Sequence, residues 1–128
     1  YRPDQLGTMH LILLDFRGTL TTLDDPVAFV RKLKEQPDVK VIIWSGSTGS
    51  EIRGKFPGLL AAADEKWCKG SSILDRMDDY GWHPDKMTIV DDTDHLRRAA
   101  AGVLRNEGCN VVVLPETGLG SLIADPAG

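Results

Sequence analysis

Three short apolar runs in this chain end in small polar or acidic residues, and chemistry would sit at those ends. Leu13-Leu14 leads into Asp15-Phe16-Arg17-Gly18-Thr19-Leu20, Val41–Trp44 leads into Ser45-Gly46-Ser47, and Thr88-Ile89-Val90 leads into Asp91-Asp92-Thr93. Carboxylates placed directly after a buried run are costly unless something positive meets them. A divalent cation is the simplest partner. Magnesium suits the pattern, because it prefers oxygen, takes few protein carboxylates and keeps its other positions for water and phosphate. Gly18 permits a tight turn that brings backbone N–H groups toward such a phosphate.

Those ends need strands and helices to hold them. The apolar runs Leu11–Leu14, Val39–Trp44, Met87–Val90 and Val111–Leu114 are short and too apolar for half-exposed strands, which predicts parallel strands covered on both faces. Asp25-Pro26 starts a helix that runs to about Gln36 and is stopped by Pro37. A weaker helix is predicted from Ser47 to about Phe56. A better one spans Ser71 to Tyr80, with Gly81 as its stop. The clearest runs from Asp94 to about Glu107. Residues Leu59 to Glu65 read as a further short strand. The order is that of an α/β fold: a three-layer, doubly wound (Rossmann-like) parallel sheet of about five strands. In such sheets ligands sit beyond the carboxyl ends of the strands, near the switch in strand order. Residues 1–9 read as an N-terminal arm or an added remnant, and 10–128 as one domain.

Bulk properties narrow the partners. The chain has 128 residues, is 41% hydrophobic and carries a formal net charge of −4, with a pI near 5.3. That balance argues against a broad nucleic-acid footprint, although local basic groups such as Arg97, Arg98 and Arg105 keep nucleic acid open. No run approaches the ~20 apolar residues of a membrane span, and the N-terminus lacks a signal-peptide pattern. Cys68 and Cys109 read as buried or half-buried thiols of a reducing, cytoplasmic compartment. Leu114-Pro115-Glu116-Thr117-Gly118 matches a sorting signal, but no apolar span and basic tail follow it, so it reads as a strand end and turn.

Taken in order, the strand ends resemble the motifs of the haloacid dehalogenase (HAD) superfamily. Asp15-Phe16-Arg17-Gly18-Thr19-Leu20 is similar to its first motif, DxDGT, with the second acid replaced. Ser45 is similar to its second motif, Lys69 to its third, with Lys66 as a competitor, and Asp91-Asp92 to its fourth. The resemblance implies a small member without a cap domain. It implies a Mg2+-dependent phosphohydrolase (phosphatase) in which Asp15 is the nucleophile and forms an aspartyl-phosphate. Asp15, the Arg17 carbonyl and Asp92 would ligate the metal, with Asp91 behind a metal-bound water. Ser45 and Lys69, with Gly18, Thr19 and Gly46 of the adjoining turns, would hold the phosphoryl group, and Lys69 would also neutralise the Asp15 carboxylate. The partner would be a phosphorylated substrate, macromolecular if the open site is used as such, or a protein.

Arg17 departs from that pattern. Its position holds the general acid/base in phosphatases of the superfamily, and arginine neither releases its proton nor accepts one. Three readings stay open: a hydrolase that is slow and acts on activated esters or that uses His95 or Asp94 as substitute shuttle, a catalytically inactive phosphate-binding or protein-interaction module in which Arg17 holds a phosphate or pairs with Asp15 or Asp92, and a decayed structural domain.

Overall fold

A computed structural model describes residues 9–69 and 72–123. The N-terminal arm, apart from Met9, lies outside the described residues. Five parallel strands run β1 (His10–Leu14), β2 (Val39–Trp44), β3 (Glu65–Trp67), β4 (Lys86–Val90) and β5 (Asn110–Leu114). Their order across the sheet is β3-β2-β1-β4-β5. β1 is therefore central, paired with β2 on one side and β4 on the other. The chain crosses outward from β1 to β2 and β3, then returns to the far side with β4. The switch in strand order falls between β1 and β4.

Side-chain alternation on β1 builds two cores. Ile12 and Leu14 face helices α1 (Pro26–Lys34), α2 (Gly49–Lys55) and α3 (Leu59–Ala62), meeting Phe29, Leu33, Ile52 and Leu59. Leu11 and Leu13 face α4 (Ile73–Tyr80) and α5 (Asp94–Asn106), meeting Met77, Ala101 and Leu104. This is the expected three-layer α/β fold.

The helix starts follow local chemistry. The Asp25 side chain accepts from the Ala28 N–H, with Pro26 in the first turn. Thr48 and Glu51 form a reciprocal capping box at α2, and Ser72 caps α4 by accepting from the Asp75 N–H. One element differs from expectation. Leu59–Ala62 is a helical turn, and the third strand comes later, at Glu65–Trp67. Leu-Leu-Ala-Ala consists of strong helix formers, and a run this short has no period to separate strand from helix. The Leu114–Gly118 segment is, as read, a strand end running into the 3-10 turn Glu116–Leu122. Cys68 is exposed rather than buried, and Cys109 is half-buried.

Leu13 is fully buried and Val103 is 55% exposed. Leu13→Ala is expected to cost about 2–5 kcal/mol, and Val103→Ala within about 0.5 kcal/mol, in urea unfolding. Equal losses would contradict the assigned faces.

Candidate functional site

Because all five strands are parallel, their carboxyl ends share one rim. The Asp15 N–H donates to the Val90 carbonyl at 2.9 Å, which fixes the residue in the β1–β4 seam. The Ser45 N–H donates to the Trp67 carbonyl at 3.0 Å. Asp91 follows β4 directly, and Lys69 lies two residues beyond β3. Four strand ends thus deliver Asp15, Ser45, Lys69 and Asp91 to one place.

Lys69 joins them. Its Nζ lies 2.9 Å from Asp15 Oδ1 and 2.5 Å from Asp91 Oδ2. The Thr19 hydroxyl donates to Asp15 Oδ2 at 3.2 Å. Asp91 Oδ1 accepts from the Thr93 N–H at 2.8 Å, which ties the cluster to the start of α5. Carboxylate oxygens of Asp15, Asp91 and Asp92 lie within 4.8 Å of one another. The positive group among them is the Lys69 ammonium. Burial pushes the Asp15 carboxyl up to about 6, with Lys69 pulling the other way and the Asp91 charge adding to the rise. Burial alone would lower Lys69, but its bonds to Asp15 and Asp91 outweigh this and hold its pKa above the ordinary value. For Asp92, burial pushes upward and is outweighed by hydrogen bonds with Asp15 and Asp91, so its carboxyl titrates below the usual range.

The cluster lies at an open cavity of about 520 Å³, which Asp15, Asp92 and Lys69 help to line. Gly18 sits against Asp92 with φ +75°, and a Cβ there would meet Asp92 Oδ2 at 2.1 Å. A side chain at position 18 would therefore displace that carboxylate.

Most residues singled out in the sequence converge here. Asp15, Arg17, Ser45, Gly46, Lys69 and Asp92 line the cavity, and Asp91 lies fully buried beside it. Thr19 is fully buried and acts through Asp15 rather than at the cavity wall. Of the two lysines, Lys69 reaches the site, while Lys66 is on β3. The Arg17 guanidinium pairs with Glu51 at 2.8 Å and is 76% exposed. Asp94 pairs with Arg97 and Arg98 on α5. Neither Asp94 nor His95 lines the cavity. Ser47, Glu51 and Thr93 also line it and were given no site role in the sequence. Glu51 was detectable as the third-position partner in the Thr48-Gly-Ser-Glu51 capping box.

No family model matches the chain, and no curated protein matches it. Among solved structures it is similar to a dodecameric FMN-dependent UbiX-like decarboxylase from Escherichia coli O157:H7. The TM-score is 0.51 at 19% identity, covering 91% of this chain and 75% of the other. At that identity the likeness establishes a shared fold. It also corrects the sequence reading, because the UbiX-like decarboxylase belongs to a different Rossmann-like family from the haloacid dehalogenases. The HAD assignment falls, and with it the aspartyl-phosphate phosphatase and its inactive HAD-like alternative. Magnesium falls as the cofactor too, since the similar protein is FMN-dependent. The physical reason lies in the fold: any doubly wound sheet brings polar residues to the carboxyl rim. Here Lys69 supplies the positive charge that the acids were expected to take from an ion. FMN itself fits poorly. Its phosphate dianion would enter a cavity bearing Asp15, Glu51 and Asp92 against Arg17 and Lys69, with Asp91 behind.

Asp15 holds its proton more tightly in the folded state, at about 6 against 3.8. Folding is therefore favoured as pH falls through that window and loses the advantage as pH rises above it. Asp15→Asn, neutral throughout, is expected to be about 1–2 kcal/mol more stable than the parent at pH 8 and equal to it near pH 4. Urea unfolding across pH 4–8 checks this, and parallel stability curves would contradict it.

Proposed function

We propose that this chain binds an uncharged, polyhydroxylated small molecule in the rim cavity. The observation that carries the reading is the mixed-sign polar lining around the Lys69–Asp15–Asp91 cluster. An anion entering there would face several carboxylates. An organic cation would compete with an ammonium already bound at 2.9 and 2.5 Å. Hydroxyl groups both donate and accept, so they can satisfy carboxylates and Lys69 together without bringing in a charge to desolvate. Asp15 and Asp92 would accept from the ligand, while Lys69, Arg17 and Ser45 would donate to it. Placement at the switch in strand order supports the same reading, because open α/β sheets bind ligands there.

Ribitol titrated at millimolar concentration against the amide-labelled protein tests the reading by NMR. Shifts are expected to centre on Gly18, Ser45–Ser47 and Thr93. Asp15→Asn is expected to weaken binding by about threefold to tenfold, because the amide oxygen still accepts a hydrogen bond but without the carboxylate charge. Inorganic phosphate is the comparison, because the sequence motifs pointed to a phosphorylated substrate. No shift with ribitol, or stronger binding of phosphate, would overturn the reading.

A further inference from the structure

A second hollow adjoins the first. It encloses about 360 Å³ between α4 and α5, and its wall is apolar: Ile73, Leu74, Leu96, Ala100 and Val103 contribute. Trp44, at the end of β2, lines it as well, and Lys69 lines both hollows. The Lys69 ammonium lies 5.0 Å from the Trp44 ring centroid while bonded to Asp15, so one residue spans the two chambers. Leu96 and Val103 are 38% and 55% exposed, which leaves apolar surface uncovered in the free protein. Trp44 is only 5% exposed and forms a fixed wall of the groove.

We infer that the ligand is bipartite: a flat aromatic ring seated in the Trp44 groove, joined to a hydroxylated arm that enters the polar cavity past Lys69. The ligand class is nucleoside-like and unphosphorylated. This inference rests on the polyol reading of the cavity and adds the ring. It also turns the poor fit of FMN into a prediction: the same scaffold without its phosphate binds better. Apolar burial of a ring supplies affinity, while the arm fixes its direction.

Calorimetry on the whole chain with riboflavin, lumichrome, ribitol and FMN tests the parts separately. Riboflavin carries ring and arm, lumichrome the ring, ribitol the arm, and FMN adds the phosphate. Riboflavin is expected to bind about tenfold or more tighter than ribitol, from the apolar area buried, and tighter than lumichrome. FMN is expected to bind more weakly than riboflavin. Ala99→Trp fills the groove from an exposed helix position. It should bring riboflavin to the affinity of ribitol and leave ribitol unchanged. If ribitol binds and riboflavin gains nothing over it, or Ala99→Trp leaves riboflavin unaffected, the ring seat is overturned while the cavity reading stands. If lumichrome and riboflavin bind equally and ribitol not at all, the cavity reading falls. FMN binding tighter than riboflavin would overturn the unphosphorylated class.

Discussion

The site depends on one ammonium held between two carboxylates. Without Lys69, Asp15 and Asp91 would be two acids at adjacent strand ends with little water to screen them. Removing the ammonium would leave both carboxylates as uncompensated buried charges. With Lys69, β1, β3 and β4 are tied at their carboxyl ends by bonds of 2.9 and 2.5 Å. Asp91 extends the tie to the start of α5 through the Thr93 N–H. The cluster therefore acts as a brace for the rim as well as the floor of a cavity. Asp15 records the compromise: burial raises its pKa to about 6 even though Lys69 pulls it down.

The central place of β1 makes that geometry available. A strand paired on both sides and packed on both faces cannot easily shift its register. Asp15, the residue after it, is consequently fixed to the β1–β4 seam by its own N–H. Gly18 then lets the chain turn against Asp92 with no side chain between them. Sheet order, strand burial and one glycine together set the distances among the acids.

Much of this was legible from residues alone. The continuous apolar runs of β1, β2 and β4 announced buried parallel strands, and the polar residues after them marked the rim. Asp25-Pro26 and Gly81 marked helix ends through their own backbone chemistry. The third strand was misplaced because Leu59–Ala62 has apolar content without a readable period. The resemblance paired Lys69 with Asp15, and the structure does the same. A carboxylate pair in sequence says that positive charge is needed without saying whether an ion or a side chain brings it, and here the Lys69 ammonium bonds Asp91 as well. The family reading failed for a related reason: acids and glycine after a strand reflect the shared geometry of doubly wound sheets as much as any one chemistry. The apolar groove left no sequence signal, since Leu96 and Val103 stand at helical spacing with Ala100 and Leu104, as a buried face would.

The most direct test of the Lys69 brace is the Asp15 carboxyl titration by carbon-13 NMR in the parent and in Lys69→Met. The account predicts a midpoint near 6 in the parent, rising further in the variant as the opposing ammonium is lost. A midpoint near the ordinary aspartate value, unmoved by Lys69→Met, would contradict it.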